Sequence, residues 1–241
     1  MLPAIHFEVH GHGAALILGY PITASEVPES PGRAATNGYL ARLTDRYQVV
    51  VMDYPNIGRS EPILATELTA DRVCADLLRV ADSAGFGRFA WWGYSWGGLI
   101  GLLLACRTDR LTALVCGGWP PLGGLAPTVL ESCRAAASKF EYQKQYVTFY
   151  ESLQGWSEAD SVRQITCPRL TYVGSDDEVE REGIRMPIAA TLHRHRQELE
   201  ESGWQVCELP GRDHSLWTDP GAVVPLVRPF LDSVTNQNDQ H

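Results

Sequence analysis

The sequence contains no run of eighteen apolar residues, so we expect no part of it to cross a bilayer as a helix. Residues 1–8 lack the basic flank and the long apolar run of a signal peptide, and we expect a cytoplasmic protein. Positive charge is also scarce, because 20 Lys and Arg stand against 29 Asp and Glu, for a formal net charge of −9. That balance argues against nucleic acid and anionic membrane as partners.

Paired cysteines are missing as well. The six cysteines are scattered singly, without a C-x-x-C pair or a metal-ligand spacing: Cys74, Cys106, Cys116, Cys133, Cys167 and Cys207. We interpret them as small buried hydrophobic side chains in a reducing compartment, without a catalytic role. The sequence predicts no metal and no cofactor. Internal repeats and low-complexity segments are absent too.

The 241 residues are 44% hydrophobic, which is enough for a sizeable core. We therefore expect a single α/β domain that comprises residues 1–241. Buried strands alternate with amphipathic helices. Strands are predicted at residues 5–9, 15–18, 47–52, from 88, and at 111–116, 169–173 and 204–209. Helices are predicted at residues 37–45, 69–83, 99–106, 128–138, 141–153, 188–201 and from about 221, and an irregular loop at 22–33. This alternation is typical of a doubly wound, mostly parallel sheet.

Two departures from that alternation are expected. Residues 122–165 show only helical patterns, and we interpret them as a short helical lid inserted above the carboxyl edge of the sheet, where ligands of such sheets bind. The C-terminal helix contains Pro225 and Pro229, so a kink or an early irregular turn is expected there.

The most informative stretch is Gly93-Tyr94-Ser95-Trp96-Gly97, which fits G-x-S-x-G between a buried strand and a buried helix. In that context the motif places a serine on a sharp, strained turn, with its hydroxyl clear of the sheet. The serine also lies at a helix N-terminus, where free N–H groups favour developing negative charge. The sequence therefore predicts Ser95 as a nucleophile.

A nucleophilic serine needs a histidine base and an acid that orients it. Where the serine lies on a G-x-S-x-G strand-to-helix turn, the chain order is serine, acid, histidine. His214 follows the last predicted strand in a glycine-containing loop, whereas His193 and His195 lie in a polar helix and His241 is terminal. His214 is therefore the predicted base. For the acid, the end of the strand at 169–173 offers both Asp176 and Asp177, and the residues alone leave this choice open.

A series of ordered matches makes the chain similar to the α/β-hydrolase superfamily, in its small, lid-bearing esterase, lactonase and peptidase-like form, over about residues 5–232. The matching segments are Leu18-Gly19-Tyr20-Pro21, residues 53–60 (DYPNIGRS), the elbow at 93–98, and residues 165–177 (ITCPRLTYVGSDD) with Gly211-Arg212-Asp213-His214. The resemblance implies the α/β-hydrolase fold and selects Asp177 as the orienting acid. It also implies an oxyanion hole made by the backbone N–H groups of Tyr20 and Trp96.

The chain departs from the family pattern at two positions. Leu18 stands where a histidine is common before the oxyanion loop, and because the hole uses backbone groups the substitution need not abolish it. Asn56 replaces a glycine, and since asparagine tolerates positive φ we expect the turn to survive.

The predicted function is a serine hydrolase that cleaves a small ester, lactone, thioester or related acyl compound. Two alternatives remain: a non-hydrolytic enzyme of the same fold (perhydrolase, lyase, cyclase or C–C cleavage), or a ligand receptor with a slow triad. Trp119, Tyr146 and Phe149 are candidate pocket residues. The stripe of Tyr142, Tyr146, Phe149 and Tyr150 has a helical spacing, however, which more often indicates packing, here of the lid on the core.

Overall fold

A twisted sheet of seven strands organises the chain. The computed structural model describes residues 4–20 and 30–238. The strands are β1 (Phe7–Gly11), β2 (Ala14–Gly19), β3 (Tyr47–Met52), β4 (Phe89–Tyr94), β5 (Leu111–Gly117), β6 (Arg169–Gly174) and β9 (Trp204–Leu209). Their order is β1-β3-β2-β4-β5-β6-β9, with β1 antiparallel to β3 and the other neighbours parallel. The predicted fold class, a doubly wound and mostly parallel sheet, is confirmed.

Helices cover both faces of this sheet. They are α1 (Pro31–Leu43), α2 (Ala70–Ser83), α3 (Trp96–Ala105), α4 (Ala126–Ala137), α5 (Lys144–Glu151), α6 (Glu158–Gln164), α7 (Ile188–Glu201) and α8 (Pro220–Asn238), with short 3₁₀ turns at Ala65–Glu67, Glu141–Gln143 and His214–Thr218. None of the described helices is long and apolar enough to cross a membrane.

The alternation of side chains along β4 shows how the two faces are filled. Successive side chains of a strand point to opposite sides, so the adjacent residues Trp91 and Trp92 enter different cores. Trp91 belongs to the apolar cluster under α2 and α3, whereas Trp92 packs edge-on to Tyr39 of α1 with 5.5 Å between ring centroids. Because both faces are covered, every residue of β4 is buried.

The parallel register places several strand ends at one edge of the sheet. Gly19 of β2 pairs with Gly93 of β4, and Tyr94 pairs with Gly117 of β5. Chain segments that leave these strands therefore start side by side. This edge is where ligands of open α/β sheets bind.

Three parts of the chain differ from the prediction. A two-stranded hairpin, β7 (Val179–Arg181) and β8 (Ile184–Met186), follows β6, and α6 is an additional helix with Ser157 as its N-cap. Strands of three residues and a helix of seven residues are too short to give a periodic signal. Helix α1 also begins at Pro31, earlier than residue 37, and most of the loop predicted at 22–33 lies outside the described residues.

Helix α8 is not interrupted, although Pro225 and Pro229 lie inside it. Its apolar face, which includes Val223 and Val227, is fully buried against the sheet. Tertiary packing of an amphipathic face contributes more to a helix than local propensity does, and here it outweighs the hydrogen bonds that the prolines remove.

Helix α3 lies so close to β2 that the contact excludes any side chain at Gly97, where a Cβ atom would lie 1.5 Å from the Gly19 carbonyl oxygen. We therefore expect Gly97→Ala to destabilise the fold by at least about 3 kcal/mol, because two backbone segments would have to separate. Urea unfolding followed by circular dichroism measures this loss.

Gly87→Ala is the matched control, since an added Cβ there has no atom within 4 Å. We expect its free energy of unfolding to stay within about 0.5 kcal/mol of the unmodified protein. Equal losses in the two variants would contradict the close contact between α3 and β2.

Candidate active site

Ser95 occupies a strained position between β4 and α3. Its φ is +53° and its ψ is −119°, a conformation that non-glycine residues rarely adopt. The turn is held on both sides: the Ser95 N–H donates to the Gly117 carbonyl at 2.7 Å, and the Ser95 carbonyl accepts from the N–H of Gly98 at 2.9 Å. Gly93 allows the turn to close, because a Cβ there would lie 2.0 Å from the Gly97 oxygen. The backbone thereby fixes the direction of the Ser95 hydroxyl.

His214 begins the 3₁₀ turn after β9 and reaches across the sheet edge to Ser95. Its Nε2 lies 2.9 Å from Ser95 Oγ, although the two residues are 119 positions apart. The Tyr94 hydroxyl donates to the His214 main-chain carbonyl at 3.1 Å, and the Tyr94 ring lies 5.3 Å from the imidazole. The residue before the serine thus also holds the loop that carries the histidine.

Asp177 completes this hydrogen-bonded series from the turn after β6. Its Oδ1 lies 2.8 Å from His214 Nδ1, and the residue is 1% exposed. The backbone fixes it: its N–H donates to the Gly174 carbonyl at 3.2 Å, and its carbonyl accepts from the Ala189 N–H at 2.9 Å. A carboxylate on Nδ1 keeps the proton on that nitrogen and leaves Nε2 free to accept from a hydroxyl.

The neighbouring Asp176 has a different environment. It is exposed, its Oδ1 accepts from the Ser175 hydroxyl at 2.8 Å, and its N–H donates to the Arg212 carbonyl. Of the two candidate acids, Asp177 is therefore a buried carboxylate hydrogen-bonded to His214, and Asp176 is a surface carboxylate.

The two predicted oxyanion donors lie beside this elbow. Tyr20 directly follows Gly19, which pairs with Gly93, and Trp96 is the first residue of α3. The first N–H groups of a helix have no acceptor within the helix, so the N–H of Trp96 is available to a ligand. The Tyr20 side chain is buried and stacks on Tyr94 with 6.2 Å between ring centroids, which fixes the backbone at that position.

The turn at residues 53–60 supports the same edge, with Asn56 at φ +65° in place of the family's glycine. The Asn56 side chain donates to Gln145 of α5 at 2.7 Å and accepts from the Ile63 N–H. Asn56 thus adopts the left-handed backbone conformation that the turn requires, and its side-chain amide also binds α5.

A cavity of about 350 Å³ opens at Ser95 and His214. Its other lining residues are Tyr54, Ile57, Trp96, Trp119, Val129, Cys133, Tyr142, Gln143, Tyr146, Tyr150, Val179, Arg181, Met186 and Ile188. Helices α4 and α5 and the β7–β8 hairpin form much of its wall. Most of these side chains are apolar or aromatic, as is typical of a small-molecule pocket.

The three candidate pocket residues are placed differently. Trp119 and Tyr146 line the cavity, but Phe149 does not: it is fully buried, 5.0 Å from the Trp96 ring, and supports the wall from behind. The Trp96 ring in turn packs against the rings of Tyr54 and Tyr146, with 4.9 and 5.5 Å between ring centroids. The expectation that Phe149 faces a ligand is therefore corrected. Of the same helical stripe, Phe149 packs in the core whereas Tyr146 lines the cavity.

Arg181 is a cavity residue that the sequence did not indicate. It lies in the acidic run at residues 176–182, whose composition is typical of a solvated loop. The three-residue strand β7 turns the side chains of Val179 and Arg181 to one face, towards the cavity. A hairpin this short has no recognisable sequence pattern.

A second, larger cavity of about 550 Å³ lies between α4, α6 and α7. It shares the wall residue Tyr150 with the first cavity and contains Glu158, whose pKa is raised to about 7 by burial. None of its described lining residues is a serine or cysteine, so we place the candidate site in the smaller cavity. Within the described ranges, no group of three His, Cys, Asp or Glu side chains is arranged to hold a metal ion.

Residues 34–125 match the family model described as the alpha/beta hydrolase fold. An Agrobacterium fabrum protein named "Putative carbamate hydrolase RutD" is 30% identical over 114 residues, which are 44% of this chain and 40% of that protein. The chain thus spans less than half the length of the curated relatives it matches.

Two solved structures share the architecture over nearly the whole chain. A thermophilic esterase from Thermogutta terrifontis superposes with a TM-score of 0.71 at 17% identity, covering 96% of this chain and 94% of that one. The enol-lactonase from Burkholderia xenovorans LB400 superposes with a TM-score of 0.69 at 20% identity, and the match covers 95% of this chain and 96% of that one. Similarity at these identities shows the fold.

Proposed function

This chain has the α/β-hydrolase fold, and from that premise we propose that it is a serine hydrolase of small acyl compounds: esters, lactones, thioesters or close relatives. The observation that carries the proposal is the unbroken series of two hydrogen bonds, Asp177–His214 at 2.8 Å and His214–Ser95 at 2.9 Å, at the mouth of a cavity. The name of the similar Agrobacterium fabrum protein, and those of two structures with the same fold, an esterase and an enol-lactonase, agree with this reaction class.

In the first half-reaction Ser95 Oγ attacks the carbonyl carbon of the substrate while His214 Nε2 takes the hydroxyl proton. The carbonyl π-electrons move to its oxygen, and the N–H groups of Tyr20 and Trp96 hold this oxyanion, an interaction worth about 3–4 kcal/mol per donor in comparable sites. The intermediate then collapses: the bond to the leaving group breaks, His214 returns the proton to the leaving group, and the acyl group stays on Ser95.

Water completes the reaction by the same route. His214 takes a proton from the water, whose oxygen attacks the acyl carbon, and the proton returns to Ser95 Oγ as the ester bond breaks. Asp177 keeps its charge throughout and stabilises the imidazolium that forms twice per turnover. Its burial excludes water that would compete for His214.

We propose that residues 122–165 act as a lid over this chemistry and set selectivity. Helices α4 and α5 contribute Val129, Cys133, Tyr146 and Tyr150 to the cavity wall. None of the proposed catalytic groups comes from this segment. The lid therefore supplies apolar contact to the substrate and no proton transfer.

Intact-mass analysis with a fluorophosphonate tests the nucleophile. We expect one adduct per chain at neutral pH and none in Ser95→Ala, because the probe reacts with a serine that a histidine activates. Ser83→Ala, which removes an exposed hydroxyl at the end of α2, serves as the control and should label like the unmodified protein. Labelling that persists in Ser95→Ala would remove the assignment.

Comparing Asp177→Asn with Asp176→Asn tests the acid. Asp177→Asn should lower kcat on a p-nitrophenyl ester by about 10⁴-fold, since loss of the orienting carboxylate has that effect in other serine triads. Asp176→Asn removes an exposed carboxylate that contacts Ser175 and should change kcat less than about threefold. The reverse ranking in folded variants would reassign the acid.

A further inference from the structure

The described wall of the cavity at Ser95 contains one side chain with a permanent charge. Among the described lining residues Arg181 is the single Arg or Lys, and none is an Asp or Glu. The whole chain carries a formal net charge of −9, so this positive group stands apart from the general character of the protein. Arg181 is half-buried in a mostly apolar wall, where a ligand of opposite sign could contact it with little competition from other charges.

The protein itself supplies Arg181 with neutral partners. Its Nε and Nη2 donate to the Ser132 hydroxyl at 3.2 and 2.6 Å, and Nη2 contacts Cys133 Sγ at 3.1 Å. These contacts fix the guanidinium against α4. Its Nη1 group has no hydrogen-bond partner within residues 4–20 and 30–238, so two donors of the fork are left for a ligand.

The acidic residues close to Arg181 in the sequence are engaged elsewhere. Glu178 pairs with Arg185 at 2.6 Å, and Glu182 pairs with Lys139. Glu180 faces Arg185 across the hairpin, on the side opposite to Arg181. As far as the structure describes the chain, no carboxylate forms an ion pair with Arg181.

The other titratable groups around Arg181 do not neutralise it either. Burial raises the pKa of the Cys133 thiol, and it raises the pKa of the Tyr146 and Tyr150 hydroxyls, although the charge of Arg181 offsets part of each shift. These groups therefore stay uncharged at neutral pH. They surround the guanidinium with hydrogen-bonding groups and leave its charge unpaired.

We propose that Arg181 binds a carboxylate of the substrate, so that the enzyme acts on acyl compounds that carry a second, free carboxylate. This rests on the proposed serine hydrolase function. A planar guanidinium with free donors matches a carboxylate by geometry and by charge. Arg181 and Ser95 line the same cavity of about 350 Å³, which suits a short compound with the carboxylate on Arg181 and the scissile carbonyl on Ser95.

The test compares two p-nitrophenyl esters of equal size: the mono-ester of glutarate and its ω-carboxamide analogue. For the unmodified protein we expect kcat/KM to be at least about 30-fold higher for the carboxylate, the effect of one desolvated charge-assisted pair. Arg181→Gln should bring the ratio close to one. Arg181→Lys should leave an intermediate ratio, because lysine keeps the charge and loses the planar fork.

Arg185→Gln is the matched control, since Arg185 lies on the adjoining strand and pairs with exposed Glu178, and its ratio should equal that of the unmodified protein. A variant that folds poorly loses activity on both esters, and the ratio in the unmodified protein still decides. Equal rates for the two esters there, or a preference that survives Arg181→Gln, would overturn the role of Arg181 while the hydrolase proposal stands. Failure to hydrolyse either ester, with no phosphonate adduct on Ser95, would instead overturn the hydrolase proposal.

Discussion

The strained backbone of Ser95 is the constraint on which the rest of the site depends. A non-glycine residue at φ +53° is costly and persists only where its surroundings hold it. Here the Gly117 carbonyl holds its N–H, and the Gly93–Gly97 and Gly19–Gly97 contacts leave no space for the turn to relax. The same close packing brings β2 beside the first turn of α3. The same contacts thus fix the Ser95 backbone and hold the end of β2 beside the start of α3.

The parallel sheet then converts distance in sequence into proximity. Ser95, Asp177 and His214 follow β4, β6 and β9, whose carboxyl ends share one edge. Each side chain is fixed by backbone contacts outside the triad, such as the Tyr94 hydroxyl on the His214 carbonyl and the Ala189 N–H on the Asp177 carbonyl. The scaffold therefore fixes the hydrogen-bonded series, and helices α4 and α5 form part of the wall of the cavity beside it.

Sequence patterns predicted the long strands and helices and missed the short ones, because a short element contains too few residues to show a periodicity. The elbow, the strand ends and the order of the polar residues were recognisable because they lie on long buried strands, and Asn56 kept the expected turn. The choice of Asp177 instead of Asp176 as the acid came only from alignment with the family motif. The hairpin that carries Arg181 was missed because strands of three residues have no periodicity. Phe149 was misplaced because a helical stripe shows which face is apolar, but not whether a core or a cavity lies against it.

The most direct test of the account is to trap the acyl group itself. Protein mixed with p-nitrophenyl acetate is quenched in acid within the first turnovers, digested, and mapped by mass spectrometry. We predict one acetyl group on the peptide that contains Ser95, with a burst of p-nitrophenol that matches the enzyme concentration where deacylation is the slower step. An acetyl group on another residue, or turnover that persists unchanged in Ser95→Ala, would contradict Ser95 as the nucleophile.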